Sequence, residues 1–360
     1  MQKILKNFRN KKVIVTGHTG FKGSWLSLWL HLSGAKVMGL SNEILTKPSH
    51  FRSLKLNNKI ISKNVNICDL KKMKKIFLDF KPDFVFHLAA QALVKKSYIS
   101  PIETYQSNTF GTLNILECSR SLKNKCSVVL ITSDKSYKNL EIKRGYKEND
   151  LLGGIDPYSS SKAAAELIIQ TYINSFLSSK KNISLAVARA GNVIGGGDWS
   201  SDRLISDCVK SWSKNKKVQL RNPNSTRPWQ HVLEALSGYL ILSIKLSKNK
   251  KLNGEAFNFG PSNKNNYSVL DVVRNMKNQW KSVSWKINKK NRLHYESNLL
   301  KLNSKKAKKK LNWKSILTFR ETINLVIIWY KTFYNKNLTT EDLSIKQIKF
   351  YEKTFMRRIK

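Results

Sequence analysis

One short turn constrains this chain more than any other feature. The stretch VIVTGHTGFKG, Val13 to Gly23, passes from apolar β-formers through three spaced glycines into a helical pattern, SWLSLWLHLSG. Gly17 permits the tight turn, and Gly20 lets a pyrophosphate come close to the backbone. Gly23 lets the new helix pack tightly on the strand. The first turn of that helix offers free N–H donors and the positive end of its dipole to an anion. A Gly-rich turn alone is a weak signal; between a strand and a helix it specifies a dinucleotide-binding unit.

The rest of the first half repeats that alternation. KVMGLS, NVNICD, DFVFHLAA, SVVLITS and ISLAVARAG read as strands, with helical patterns such as NTFGTLNILECSRSL between most of them. Apolar strands joined by helical crossovers imply an α/β fold with a doubly wound parallel sheet and ligands at the carboxyl ends of its strands. After Gly191 the pattern becomes irregular: GNVIGGGDWS is a loop, followed by shorter elements such as KVQLR, VLEALSGYLILSIKL, GEAFNFG and SVLDVVRNMKNQW. The expected organisation is a cofactor domain over 1–191 and a smaller, mainly substrate-binding domain over 192–360. Segments around 226–260 are expected to return to the first domain, and a C-terminal amphipathic helix closes the chain.

Composition narrows the class. With 360 residues, 41% hydrophobic and 10% aromatic, the chain can bury a sizeable core. The first residues lack an apolar signal core, and no apolar run nears the ~20 residues of a membrane span, so a cytoplasmic protein without a membrane partner is expected. The formal charge of +43 raises nucleic-acid binding. Lysines are spread along the whole chain, however. KKAKKK (305–310) is the one dense run and fits one exposed helix face, and no zinc-finger, helix-turn-helix or RNA-binding motif accompanies it. No nucleic-acid partner is therefore expected, although the positive field would attract an anionic metabolite. Cys68, Cys118, Cys126 and Cys208 are scattered without metal-ligand spacing, so no metal is expected.

Two further patterns carry chemistry. Dinucleotide sites usually place an acid after the second strand to hold the adenosine ribose; here Ser41 and Asn42 stand there, with Glu43 one step later. This leaves the choice between NAD and NADP open. Tyr158 and Lys162, in DPYSSSK, open a helix and share one face at i and i+4. A lysine beside a phenol lowers its pKa from about 10 towards neutrality and makes it a usable base. Tyr-x-x-x-Lys is common by chance, and a helix-entry tyrosine with a solvated lysine is the plain alternative. Ser133, at the end of the SVVLITS strand, argues against accident.

These motifs resemble the extended short-chain dehydrogenase/reductase family, whose Tyr-x-x-x-Lys, strand-end Ser/Thr and helix Asn fall on Tyr158, Lys162, Ser133 and Asn108. The similarity extends to its sugar-nucleotide dehydratases and there to the CDP-glucose branch, through TSDKSY, GGIDPYSSSKAAAEL, ARAGNVIGGGDW, RNPNSTRPWQHVLE and the final QIKFYE. The resemblance implies a Rossmann-like cofactor domain, NAD as cofactor and CDP-glucose as substrate. Cofactor contacts are then expected from Gly17, Thr19, Gly20, Phe21, Lys22, Gly23, Ser41, Asp69, Leu70, Leu88, Ala89 and Ala90, with Tyr158 and Lys162. Gln91 and Ser133 are expected at the sugar, and Asn192, Arg203, Arg221, Asn222 and Arg227 at the diphosphate and nucleotide. His18, His87 and His231 read as structural. A homodimer or homotetramer is expected, because AAAELIIQTYINSF is apolar on more than one face.

The implied reaction is redox-neutral: oxidation at carbon 4 with Tyr158 as base, elimination across carbons 5 and 6, and reduction at carbon 6. Asp134 is the expected acid for the departing hydroxyl. Sugar-nucleotide dehydratases usually carry Thr-Asp-Glu at this strand end, whereas Lys135 stands here in place of the glutamate. Lowering a lysine pKa from about 10.4 to about 7 takes roughly 4.6 kcal/mol, which burial can supply. An ionised Asp134 alongside opposes that shift, so the two are expected to act as a coupled pair. Lys135 is either the carbon 5 base or a cation stabilising the enolate. An epimerase would need only Tyr158 and the cofactor, and a silent nucleotide-binding or nucleic-acid-binding protein would need none of this set.

Overall fold

Seven parallel strands form the central sheet, in the order β7-β6-β5-β4-β1-β2-β3. They are β1 (Lys12–Thr16), β2 (Lys36–Ser41), β3 (Ile61–Asn64), β4 (Phe84–His87), β5 (Cys126–Ile131), β6 (Ile183–Ala190) and β7 (Ala256–Phe259). The computed structural model describes residues 1–220, 222–261, 267–280, 283–287, 299–336 and 338–359. Strand order reverses between β1 and β4, so their carboxyl ends splay and open a crevice.

Period-two alternation along the strands decides which residues face which layer. Val13, Val15, Phe84, Phe86, Val129, Ile131, Ala186 and Ala188 point into one core, and Ile14, Val85, Val128, Leu130, Leu185 and Val187 into the other. The second core is closed by helices α2 (Leu70–Phe80), α3 (Gly111–Ser121) and α4 (Pro157–Tyr172). The first is closed by α1 (Phe21–Leu32) and α5 (Val232–Lys248) and continues without a break into the C-terminal helices α6 (Phe319–Asn335) and α7 (Thr340–Arg358). Trp29 of α1 donates to Glu352 of α7 at 2.8 Å, and Trp25 donates to Gly196 O at 2.9 Å.

The third strand departs from expectation. It occupies Ile61–Asn64 rather than NVNICD, because this edge strand is exposed on every residue and carries no alternation to read. Val65 and Ile67, which suggested a strand, are buried beyond its end. KKAKKK lies on a short helix, Lys305–Leu311. Two of its lysines, Lys306 and Lys310, pair with Glu255 while Ala307 and Leu311 are buried, so the run is not one uniformly solvated face. Cys118, Cys126 and Cys208 are buried thiols and Cys68 is an exposed one. No described helix is long and apolar enough to cross a membrane.

Glu234 ties the carboxyl-terminal part to the sheet. Fully buried on α5, it accepts from Ile316 N at 2.8 Å, Leu317 N at 2.6 Å and Tyr351 Oη at 2.7 Å. Burial nevertheless raises its pKa to about 7.

Candidate active site

The crevice is floored by the Gly-rich turn. Gly17 adopts φ +73°, and a Cβ there would lie 2.7 Å from Ala89 N, so only glycine fits between turn and β4. A Cβ on Gly23 would lie 2.0 Å from Gly17 O, which fixes how closely α1 packs on the turn. Gly20 differs: a Cβ there would meet only Gly17 O, at 3.3 Å, and otherwise open space. Gly20 N–H bonds Gly17 O, while those of Phe21, Lys22 and Gly23 have no acceptor among the described residues. An open glycine beneath free helix-start amides fits the diphosphate of a dinucleotide.

The turn is braced from below. His18 bridges Ser41 Oγ at 3.0 Å and Ser62 Oγ at 2.7 Å, and Thr19 Oγ1 donates to Glu43 O at 2.6 Å. Ser41 therefore serves the turn as much as any ribose. His87 lies between Thr16 and Thr112, at 2.8 and 3.1 Å. His231 caps α5 by accepting from Leu233 N. Asp69 is committed as the cap of α2, accepting from Lys72 N at 3.0 Å, and Leu70 begins that helix. Leu88, Ala89 and Ala90 are half-buried at the crevice edge, with Ala89 N–H bonded to Thr16 Oγ1 at 3.2 Å.

Across the crevice, β5 is followed two residues on by Ser133, which caps a single 3-10 turn over Asp134–Ser136. Ser133 Oγ donates to Asp134 Oδ1 at 3.1 Å and lies near enough to the Tyr158 phenol to lower its pKa. Asp134 is 2% exposed, yet its Oδ2 has no hydrogen-bond partner among the described residues. A Cβ on Gly191, at the end of β6, would lie 1.9 Å from that oxygen. Gly191 is thus the bare backbone over which the carboxylate lies. Sequence reasoning did not single it out, although it opens the GNVIGGGDW loop.

The turn is held from behind by a buried network. Glu166 and Arg189 form an ion pair with both side chains 1% exposed, and Thr132 Oγ1 donates to Glu166 at 2.6 Å. Arg189 also donates to the Tyr137 hydroxyl at 2.6 Å and stacks over its ring, while Tyr137 donates to Asn258 of β7 at 2.8 Å. Tyr137, three residues after Asp134, therefore locks the Asp-Lys segment to the sheet. Fully satisfied buried networks of this kind rigidify what they carry.

Tyr158 and Lys162 occupy one face of α4, whose start is set by the Asp156 cap and Pro157. Both are buried. The electrostatics correct the expected phenol activation: burial raises the Tyr158 pKa, Ser133 pulls it back, and Asp134 raises it again. Burial and then Lys22 lower the pKa of Lys162 itself to about 7, with Glu166 opposing. Asp134 and Lys135 form no ion pair among the described residues. Adjacent positions on a helical turn point apart, so the two side chains are not in ion-pair contact.

Two further residues serve the scaffold. Asn108, in a π-helical bulge over Gln106–Phe110, accepts from Gln91 N at 2.8 Å and donates to Gln91 O and to Ser161 Oγ. It fastens α4 to the end of β4, the kind of role π-bulges often mark. Gln91 was expected at the sugar, but its amide is used within the fold: it donates to Leu93 O and Thr104 Oγ1 and accepts from Leu93 N. Arg203, ion-paired with Asp198 at 3.1 Å, lies within electrostatic reach of Tyr158. Asn192 is half-buried at φ +28°; Asn222 lies in the loop before a two-residue strand, Thr226–Arg227, that pairs antiparallel with Tyr267–Ser268, and Arg227 donates to Thr226 O. Arg221 lies outside the described residues. Tyr239 of α5, which sequence gave no reason to choose, is buried within reach of Tyr158 and Asp134.

The arrangement offers a phenol with a hydroxyl partner, a buried carboxylate and an amine around one crevice beside an anion-binding turn. The chain is similar to known proteins. The chain is 45% identical over 334 residues to a CDP-glucose 4,6-dehydratase from Salmonella typhimurium, covering 91% of this chain and 93% of that protein. An epimerase structure from Methanothermobacter thermautotrophicus superposes with TM-score 0.81 at 22% identity, over 93% of this chain and 97% of that one. A dTDP-glucose 4,6-dehydratase from Bacillus anthracis, solved with NAD, gives 0.74 at 21% identity, over 89% and 97%. These two share the fold, which therefore does not separate epimerase from dehydratase. The model for GDP-mannose 4,6 dehydratase matches residues 14–326, and with that span of the crevice and its scaffold included, the chain belongs to this family.

Proposed function

We propose that the chain removes water from CDP-D-glucose to give CDP-4-dehydro-6-deoxy-D-glucose, with bound NAD taking a hydride from carbon 4 and returning it to carbon 6. The observation that carries this reading is the Ser133-Asp134-Lys135 turn facing Tyr158, in a chain 45% identical to a CDP-glucose 4,6-dehydratase. Tyr158, oriented by Ser133, takes the proton of the carbon 4 hydroxyl. Asp134, with its free Oδ2, protonates the hydroxyl leaving carbon 6. Lys135 is half-buried and has no carboxylate partner among the described residues, which leaves its amine available to the hydrogen on carbon 5. Lys162 and the Gly-rich turn hold the cofactor, and Arg203, Arg227, Asn192 and Asn222 grip the substrate's diphosphate and nucleotide.

The functional unit is a homodimer in a soluble, cytoplasmic enzyme. Ile99, Ile102, Phe110 and Leu167 are 55–82% exposed on the π-bulge, the short helices before it and α4, and a second copy of the same face would cover them. Light scattering at micromolar concentration tests this, and a monomer mass refutes it. For the reaction, the protein is incubated with NAD and CDP-, dTDP-, UDP- and GDP-sugars, and the alkali-induced absorbance of a 4-keto-6-deoxy product is followed. Turnover of CDP-glucose is expected. Turnover of another nucleotide's sugar with CDP-glucose inert would overturn the substrate, and no product from any would overturn the reaction.

A further inference from the structure

We infer that the Lys22 ammonium sets the redox balance of the bound cofactor, favouring the neutral, reduced nicotinamide over the positively charged, oxidised one. This rests on the NAD reading above. Lys22 belongs to the Gly-rich turn, and its backbone N–H is one of the free donors there. Its side chain reaches towards α5. Nζ lies 5.9 Å from the centroid of the Tyr239 ring, on the buried helix α5. From there it is within electrostatic reach of Asp134, Lys162 and Arg203, the charged groups that surround Tyr158. Among the described residues it has no ion-pair partner.

Packing alone does not account for a cation at this point. An aliphatic side chain would fill the space against Tyr239 without the cost of desolvating an ammonium. That cost is visible: burial, then Arg203, lower the Lys22 pKa to about 8, with Asp134 opposing. The charge has a consequence where charge changes during reaction. When carbon 4 is oxidised, its hydrogen leaves with both bonding electrons, the hydroxyl proton passes to Tyr158, and the nicotinamide ring loses its positive charge. A fixed cation nearby repels the oxidised ring and leaves the neutral one alone, so it drives this oxidation forward. The electrons return to carbon 6, so the net reaction is unaffected and only the balance between its halves moves. Two unit charges about 8 Å apart, at an effective dielectric of about 20, interact strongly enough to shift such an equilibrium roughly thirtyfold.

The test is the ratio of two dissociation constants. Wild type, Lys22→Met and Lys22→Arg are each titrated with NAD and with NADH, following quenching of tryptophan fluorescence, and each variant's thermal midpoint is recorded. Lys22→Met is expected to shift the ratio towards NAD at least tenfold, equivalent to about 30 mV for a two-electron couple. Lys22→Arg, which keeps the charge, is expected to stay near wild type. Equal weakening of both forms in Lys22→Met would overturn the inference and make the residue a plain diphosphate contact; an unchanged ratio would overturn it as well. If wild type bound neither form, the NAD reading itself would fall, a result distinct from both.

Discussion

Gly191→Ala is the smallest change that should separate elimination from oxidation. The backbone at Gly191 is not in the left-handed region, so alanine meets no conformational penalty there. Its Cβ would fall 1.9 Å from Asp134 Oδ2, whereas atoms in ordinary contact sit about 3.5 Å apart. The carboxylate must therefore move by about 1.6 Å, or β6 must shift beneath it. The carboxylate is the softer of the two, since it hangs from a single 3-10 turn while Arg189 pins β6 through Glu166. Misplacing a proton donor by an ångström costs about a hundredfold, and losing a general acid costs 10²–10⁴-fold. The expected result is a slowing of water loss by roughly a hundredfold, with carbon 4 oxidation and carbon 5 exchange retained. Overpacking should also cost about 1–3 kcal/mol of stability. The assay is a single turnover in deuterated water, following NADH absorbance, deuterium at carbon 5 and the 4-keto-6-deoxy product. Near-normal elimination in a folded variant would show that Asp134 is not the proton donor. A loss of oxidation equal to the loss of elimination would show that the disturbance is not confined to it.

Tyr158→Phe should abolish transient NADH and product together, since both follow oxidation at carbon 4; persistent NADH would require another base. Lys135→Met should still form NADH and ketone in a single turnover but exchange little carbon 5 hydrogen, and near-normal exchange would leave Lys135 only an electrostatic role. Glu234 makes stability depend on pH. Its folded pKa of about 7 lies above the 4.5 of an ordinary glutamate, so the native state holds the proton more tightly. That contribution is complete below about pH 4.5 and is lost as pH rises through 7, amounting to about 3 kcal/mol. Glu234→Gln can keep the acceptor for Ile316 and Leu317 without a charge, so its stability relative to wild type should rise across that window. Parallel denaturation midpoints for the two proteins from pH 5 to 8 would refute this.

Several features of this protein are local, and those were legible in the sequence. Gly17, Gly20 and Gly23 act within one turn, and the apolar runs of β1, β4, β5 and β6 mark buried strands. The edge strand β3 was misplaced because an exposed strand has no buried face to mark it. The candidate site divides in the same way. Tyr158 and Lys162 stand at a spacing that already implies chemistry, and the family resemblance points to Ser133 and Asp134. Distances between segments remote in sequence decided the rest. Gly191 matters only because β6 ends beneath Asp134, and Gln91 is diverted because Thr104 and Leu93 reach it first. Lys22 and Tyr239 meet only because α5 packs behind the Gly-rich turn. Charge followed the same rule: sequence put a lysine beside a tyrosine, but burial set both pKa values, and burial exists only once the layers have closed over α4.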